Sequence, residues 1–221
     1  MKLGLISKMS KISITLASSS LRRRAWISEI LAGSEIILNY HELGEVEPIP
    51  NSNSEVSLQT EHACLVKAEA AASQFLEYEM KKIPSLILVS DTLVEDPDNS
   101  SVALGKPEDE LIAASILIRL SGRRHKVWSS TAILDRGEGG VEVKGGWRLK
   151  IWTNSSIVEF DDLDVDTMNE LIQTRSWFGK AGGYDIAGMA QSFAKVVQGE
   201  EVTVLGFSCD AMAELLRIIG D

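Results

Sequence analysis

The sequence predicts an α/β protein in which a mixed central sheet is flanked by helices and two lobes surround a cleft. Two observations indicate this fold. Short apolar strand patterns alternate with helical patterns as far as Leu120. From His125 onward, longer strands of alternating polarity follow one another, as in an antiparallel part of a sheet. We expect one two-lobed domain over residues 11–221 and an N-terminal extension over residues 1–10.

The first elements alternate in the order strand, helix, strand. Residues 11–17 are rich in Ile and Thr, which favour a strand. Residues 22–31 carry apolar side chains at helical spacing, and Gly33 is a typical helix stop. Residues 34–40 have the pattern of a second short strand, and residues 41–57 have the acidic, proline-containing composition of a loop.

A long helix, a buried strand and a third helix are predicted next. Residues 61–80 are rich in alanine and place apolar residues at helical spacing. Residues 86–89 are uniformly apolar, which predicts a buried strand that ends where Asp91 follows. A helix is predicted over residues 107–120, because proline suits the first helical turn and the acidic residues behind it complement the helix dipole.

The second half of the chain predicts a hairpin or meander and a terminal helix. Residues 125–134 and 147–160 alternate in polarity and are joined by a glycine-rich stretch, which predicts two antiparallel strands. A capped helix is predicted over residues 166–174. Residues 179–188 are dense in glycine, and residues 210–219 have the pattern of an amphipathic helix.

The charge and the cysteine content of the chain limit which kinds of partner it can bind and in which cellular compartment we expect it. The formal net charge of -10 argues against broad binding of nucleic-acid polymers, but local cations can still hold a small anion. The two cysteines are far apart, and neither an apolar stretch of about 18 residues nor a signal-peptide pattern is present. We therefore expect a cytoplasmic protein that does not associate with membranes.

The segment LASSSLRRR, residues 16–24, is a candidate anion site. A strand followed by serines and a helix start offers backbone N–H groups and hydroxyls to an anion. Consecutive helical residues are about 100° apart, so at most two of the three arginines can reach the same ligand. Guanidinium groups suit phosphate oxygens, although a solvated basic turn is an equal alternative.

Asp91 and Lys106 are further candidates for phosphate chemistry. An aspartate at the carboxyl end of a buried strand lies where ligands bind in open α/β sheets. Its carboxylate could bind Mg²⁺ or Mn²⁺ or orient a water for attack on phosphorus, or it could simply cap a turn. Lys106 precedes a predicted helix start, where an ammonium group and the helix dipole both favour a phosphate.

Three other basic residues have structural explanations of equal or greater weight. Arg123 lies past the end of the predicted third helix, where cations commonly serve as caps. Lys67 lies beside an apolar helix stripe, from which a lysine usually extends toward solvent. Lys180 lies among glycines that permit either close approach of a ligand or a compact turn.

Six segments, taken in order, resemble the Maf family of nucleoside triphosphate pyrophosphatases: LASSSLRRRAWI, LVKAEAAA, LVSDTLV, ALGKPEDE, LSGRRHKV and FGKAGGYDIAG. The resemblance runs from about residue 12 to about residue 190, which is most of the chain. The family is similar in fold to the inosine triphosphate pyrophosphatases. The resemblance implies metal-dependent hydrolysis of a nucleoside triphosphate, either an ordinary pyrimidine nucleotide or a modified one, to a monophosphate and pyrophosphate. By analogy with the family it also implies a homodimer.

The resemblance assigns roles to individual residues. Asp91 is implied as the catalytic residue and as a ligand of Mg²⁺ or Mn²⁺. The second metal carboxylate falls on Glu47, with Glu45 as the competing assignment. Substrate binding falls on the following residues, of which the last three are secondary candidates: Ser18, Ser20, Arg22, Arg23, Lys67, Lys106, Thr92, Arg123 and Lys180.

The sequence also departs from the family pattern and leaves rival functions open. Leu21 replaces a proline, Ala187 stands where many members carry glutamine, and residues 199–212 resemble the family only loosely. The base preference is therefore left open. One rival function is a nucleotide-binding regulator of septum formation with little catalysis, and another is a phosphatase that releases orthophosphate.

Overall fold

A computed structural model describes residues 12–44, 53–76 and 83–220 of the chain. The strands are β1 Ser13–Ala17, β2 Ile37–His41, β3 Leu86–Asp96, β4 Asn99–Leu104, β5 Arg124–Asp135, β6 Val141–Glu142, β7 Arg148–Phe160 and β8 Ala194–Gln198. The helices are α1 Leu21–Ile30, α2 Val56–Gln74, α3 Glu110–Leu120, α4 Val165–Gln173, α5 Glu201–Leu205 and α6 Cys209–Gly220. Every helix within these ranges is too short or too polar to cross a bilayer.

The strands form one mixed sheet. Its order is β2-β1-β3-β5-β7-β6, with β4 added to β3 and β8 added to β7. Strand β1 runs parallel to both β2 and β3, whereas the pairs from β3 through β5 to β7 are antiparallel. The mixed α/β fold predicted from the sequence is confirmed.

One side of β3 has two different partners along its length. Strand β1 pairs with residues 86–88 in parallel, and β4 pairs with residues 94–96 antiparallel. Between these two segments, no strand among the described residues pairs with that side of β3. The sheet therefore opens in its middle, between Leu88 and Val94.

The first lobe surrounds the part of the sheet that contains β1. Alternate side chains of a strand point to opposite faces. Ile87 and Val89 accordingly pack under α2 with Ala68, whereas Leu86 and Leu88 join the cluster formed with α1 and α6. Both faces of this part of β3 are covered, which explains its uninterrupted apolar sequence.

The second lobe surrounds the other end of the sheet. Leu117 of α3 and Leu171 of α4 pack against Val94 of β3 and Phe160 of β7. Tyr184, from the glycine-rich segment, belongs to the same cluster. The cleft expected from the sequence lies between this lobe and the first.

Several predicted boundaries are wrong, and two of the errors concern candidate site residues. The buried strand does not end at Asp91 but continues to Asp96, because its second half pairs with β4, which was not predicted. The third helix begins at Glu110 rather than at residue 107, because the Asp109 carboxylate accepts the N–H of Ile112 at 2.8 Å and caps the helix there. Lys106 is therefore not adjacent to a helix start.

The remaining differences are shifts and omissions. Helix α2 begins at Val56, five residues earlier than predicted, and takes in the end of the predicted loop. Strand β8 and helix α5 were not predicted at all. The other predicted strands and helices are present with small shifts at their ends.

His125 is buried in β5 and gives the fold a dependence on pH. Its Nε2 lies 2.9 Å from the hydroxyl of Tyr184, and its Nδ1 has no hydrogen-bond partner among the described residues. Burial lowers the pKa of His125 from 6.5 to about 4. The folded protein therefore resists a protonation that the unfolded chain accepts.

We predict that the free energy of unfolding falls as the pH is lowered from about 6.5 to about 4, because the unfolded state binds more protons in that window. The histidine contributes up to about 3 kcal/mol to this loss. Urea unfolding at several pH values measures it. His125→Gln keeps a polar partner for Tyr184 but does not titrate, so its stability should depend less on pH. A variant with the same pH dependence as the parent would contradict the prediction.

Candidate active site

A cavity of about 560 Å³ occupies the cleft between the lobes. On the first lobe it is lined by the segment between β1 and α1, by Lys67 of α2 and by the middle of β3. On the second lobe it is lined by Lys106, residues 178–181 and Asp185. The open segment of β3 thus forms the floor of the cleft.

The cleft collects most of the predicted site residues. Nine of the ten that the structure describes line it: Ser18, Ser20, Arg22, Arg23, Lys67, Asp91, Thr92, Lys106 and Lys180. Arg123 does not, because its guanidinium binds the carboxylate of Asp98 on the β3–β4 hairpin, 2.9 Å away. The structure therefore places Arg123 in an ion pair outside the cleft lining. Glu47 and its competitor Glu45 lie outside the described residues.

Asp91 and Lys67 form an ion pair in the floor of the cleft. The Nζ of Lys67 lies 2.5 Å from Oδ1 of Asp91, and the two side chains are 13% and 11% exposed. Asp91 follows Val89 on the face that α2 covers, which brings it under this helix. Lys67 therefore does not extend into solvent. Removing one member of such a pair leaves a buried charge without its partner, which lowers the free energy of unfolding by roughly 3–5 kcal/mol. The two residues therefore stabilise each other.

Arg23 is held in place by several acceptors. Its Nε donates to the carbonyl of Gly206 at 2.8 Å, and one terminal nitrogen donates to Oγ1 of Thr92 at 2.8 Å. Thr92 is in turn hydrogen-bonded to the hydroxyl of Ser129 at 2.8 Å. Adjacent residues of a strand point to opposite faces, yet Asp91 and Thr92 both reach the cleft because the strand edge is open there.

Gly206 supports the site through its carbonyl group, although no motif in the sequence pointed to it. Its carbonyl accepts hydrogen bonds from Arg23 and, at 2.6 Å, from Ser90. Its φ is +118°, and a Cβ at this position would lie 2.7 Å from Nε of Arg23. The positive φ favours glycine, and a larger residue would have to displace the Arg23 side chain. The glycine that follows the apolar end of α5 was visible in the sequence, but its contact with Arg23, 183 residues away, was not.

The other two arginines of the basic segment have separate roles. Arg24 donates to the carbonyl of Ser18 at 3.0 and 2.8 Å and pairs with Glu42, so it points away from the cavity. Arg22 faces the cleft and pairs with Asp185 at 3.5 Å. Two of the three arginines, Arg22 and Arg23, thus line the cleft, and Arg24 does not.

The charge of the cleft is opposite to that of the whole chain. Its described lining carries five cationic side chains and two carboxylates, whereas the chain has a formal net charge of -10. Serine hydroxyls and the start of α1, capped by Ser20, lie at the same place. This combination of guanidinium, ammonium and N–H donors suits a ligand with several negative charges.

The carboxylate oxygen that the described residues offer to the cleft suits a metal ion that also binds a phosphate ligand. No group of three or more His, Cys, Asp or Glu side chains that could hold a metal occurs within the ranges described. Asp91 nevertheless offers a carboxylate to the cleft, and Mg²⁺ is commonly bound by one or two carboxylates together with phosphate oxygens and water. Gly44 lines the cleft; Glu45 is the next residue in the chain, and Glu47 comes two positions after Glu45.

Comparison with solved structures gives a weak likeness. A HAM1 protein from Coxiella burnetii is 18% identical, with a TM-score of 0.42 and coverage of 67% of this chain and 73% of that chain. A likeness of this size supports no inference about the cleft.

Comparison with protein sequences is more informative. A dTTP/UTP pyrophosphatase of Aromatoleum aromaticum is 31% identical over 212 residues, which cover 94% of this chain and 95% of the relative. The dTTP/UTP pyrophosphatase of Clostridium novyi is 29% identical, with coverage of 95% and 97%. That of Zymomonas mobilis is 31% identical, with coverage of 94% and 92%. The sequence pattern of the family described as Maf-like protein matches residues 13–219, and the chain therefore belongs to the Maf family.

Proposed function

We propose that this protein hydrolyses a nucleoside triphosphate between the α and β phosphates and releases a nucleoside monophosphate and pyrophosphate. The observation that carries the proposal is the convergence of five cations from both lobes on a cleft whose floor holds the Lys67–Asp91 pair. Relatives named dTTP/UTP pyrophosphatase support it and make these two pyrimidine nucleotides the first candidate substrates.

The cations bind the polyphosphate in this proposal. Arg22 and Arg23 stand at the start of α1, and Lys106 and Lys180 face them from the second lobe. Guanidinium groups bind phosphate oxygens with two parallel hydrogen bonds, and an ammonium group acts as a point charge. Because they belong to different lobes, these side chains can hold the phosphates in a fixed orientation relative to Asp91.

Asp91 is the proposed general base. Lys67 fixes its Oδ1, and among the described residues no donor is hydrogen-bonded to Oδ2. Oδ2 accepts a proton from a water whose oxygen forms a new bond to phosphorus, while the phosphoanhydride bond breaks and pyrophosphate leaves. A base in this role must come within about 3 Å of the attacking water.

A covalent route through the nearby thiol is unfavourable. Cys64 is fully buried beneath β3 and donates to the carbonyl of Val89 at 3.7 Å. Burial, together with the negative charge of Asp91, raises the pKa of Cys64 to about 12. A thiolate is the nucleophilic form of cysteine, so this residue is inert at neutral pH.

A divalent metal belongs to the proposal. Asp91, with Glu47 or alternatively Glu45, would hold Mg²⁺ or Mn²⁺ beside the phosphates. When bound, such an ion neutralises phosphate charge and lowers the barrier to attack on phosphorus. A single domain over residues 11–221, a homodimer and a cytoplasmic location are further parts of the proposal, taken from the sequence analysis.

Incubation with a panel of nucleoside triphosphates tests the reaction directly. With Mg²⁺ or Mn²⁺ present, we expect dTTP and UTP to yield equal amounts of monophosphate and pyrophosphate, and we expect a chelator to stop the release. Ion chromatography identifies the products. Release of orthophosphate would indicate the phosphatase instead, and tight binding without turnover would indicate the regulator.

Asp91→Asn tests the general base. We expect kcat to fall by about 100-fold or more, because proton transfer by a positioned side chain contributes at least that much. The amide oxygen can still accept from Lys67, so the circular dichroism spectrum should be retained, although the free energy of unfolding should fall because the buried charge of Lys67 loses its partner.

Asp98→Asn is a matched control for this change. Asp98 is also paired with an arginine and lies on the hairpin that follows β3, but it is not part of the cleft lining. Its substitution should leave kcat nearly unchanged. Full activity of Asp91→Asn would show that another carboxylate is the base.

Gly206→Ala tests the support of Arg23. The new methyl group would displace the guanidinium, and losing a hydrogen bond to a charged group should lower kcat/KM by about ten-fold or more. Gly146→Ala is the control, because Gly146 also has a positive φ, +70°, but a Cβ at that position would meet no described atom within 4 Å. Steady-state kinetics with UTP measure both. Equal effects of the two substitutions would mean that backbone strain alone is responsible.

A further inference from the structure

A carboxylate lies among the cations of the cleft, where it would repel a phosphate ligand. Oδ1 of Asp185 lies 3.5 Å from a terminal nitrogen of Arg22, and Oδ2 lies 3.6 Å from Nζ of Lys180. Arg22 belongs to α1 of the first lobe, whereas Lys180 and Asp185 belong to the glycine-rich segment of the second. The Asp185–Arg22 pair thus crosses the cleft, and the same carboxylate pairs with Lys180 within its own segment.

The position of Asp185 is fixed by the turn that follows it. Its Oδ1 accepts the N–H of Ala187 at 3.3 Å, and its carbonyl accepts the N–H groups of Gly188 and Ala190 at 3.0 and 3.1 Å. Arg22 and Lys180, by contrast, reach the carboxylate at the ends of long side chains with several rotatable bonds. Nζ of Lys180 also donates to the carbonyl of Ser176 at 2.8 Å, a bond that an ammonium group with three donors can keep while another donor turns toward a ligand. The anion is therefore the fixed partner of both cations.

Because they are partly buried, these ion pairs interact more strongly than ion pairs at the surface do. The side chains of Arg22, Lys180 and Asp185 are only 20–23% exposed. Charges that are partly withdrawn from water interact more strongly than exposed ones, and they are screened less by salt. A phosphate that binds Arg22 and Lys180 must either replace the carboxylate or bind beside it.

We propose that Asp185 competes with the phosphates of the substrate and of pyrophosphate for Arg22 and Lys180, and so limits how tightly the cleft holds them. This inference rests on the proposed function. Its consequence is that Asp185 favours the release of pyrophosphate, because the carboxylate regains both cations when the product leaves. Asp185 is thus a determinant of affinity, distinct from the catalytic Asp91.

Binding of inorganic pyrophosphate, measured by calorimetry, tests the inference without turnover. Asp185→Asn removes the charge but keeps an acceptor for Ala187. We expect its Kd for pyrophosphate to be at least about five-fold lower than that of the parent protein, the effect of one unit charge at about 4 Å even in bulk water. The difference should shrink as the salt concentration is raised.

Asp135→Asn is the matched control. Asp135 also pairs with a lysine, Lys150, at 3.5 Å, and also accepts the N–H of the residue two positions later, at 2.8 Å. It is not part of the cleft lining, so its substitution should leave the Kd unchanged. Asp185→Ala should tighten binding as Asp185→Asn does, which would show that the charge matters rather than the turn.

Unchanged or weaker binding by Asp185→Asn would overturn the inference, and weaker binding would indicate that Asp185 positions Arg22 for the ligand. Turnover of UTP by the parent protein separately tests the proposed function. Tighter pyrophosphate binding in a protein that hydrolyses none of the triphosphates in the panel would support the competition for the two cations and reject the proposed function. Turnover by the parent protein, with no change in the Kd for pyrophosphate in Asp185→Asn, would support the proposed function and reject the inference.

Discussion

The divided pairing of β3 is the constraint on which the site depends. Because β1 and β4 pair with different parts of the same side of this strand, the segment between Leu88 and Val94 is left open. A continuous neighbour would cover this segment and close the middle of the sheet. The opening allows Asp91 and Thr92, which point to opposite faces, to line one cleft between the lobes.

Charge placement in the cleft follows from this opening. An acidic chain can bind a polyphosphate only where its cations are collected and its carboxylates are either paired or separated from the ligand. Lys67 pairs with Asp91, and Asp185 pairs with Arg22 and Lys180. The first pair fixes a proposed base, whereas the second is proposed to weaken the hold on phosphates. The two carboxylates therefore have opposite proposed effects in one cleft.

Local patterns in the sequence predicted the elements, and ordered motifs predicted most of the cleft lining. The apolar run before Asp91 predicted a buried strand because both faces of β3 are covered in the first lobe. Long-range contacts could not be predicted in this way. Because β3 also pairs with β4, Asp91 lies in the middle of the strand and not at its end, where it was predicted. The pairing of Arg123 with Asp98 and the support of Arg23 by Gly206 likewise depend on residues distant in sequence.

A crystal structure of the protein with Mn²⁺ and a UTP analogue that cannot be cleaved between the α and β phosphates would show directly how the cleft holds its substrate. We expect the phosphates to contact Arg22, Arg23 and Lys106, with the α phosphorus facing Asp91 and the metal density beside that carboxylate. A polyphosphate bound outside the cleft, with Asp91 facing no phosphate, would contradict this expectation.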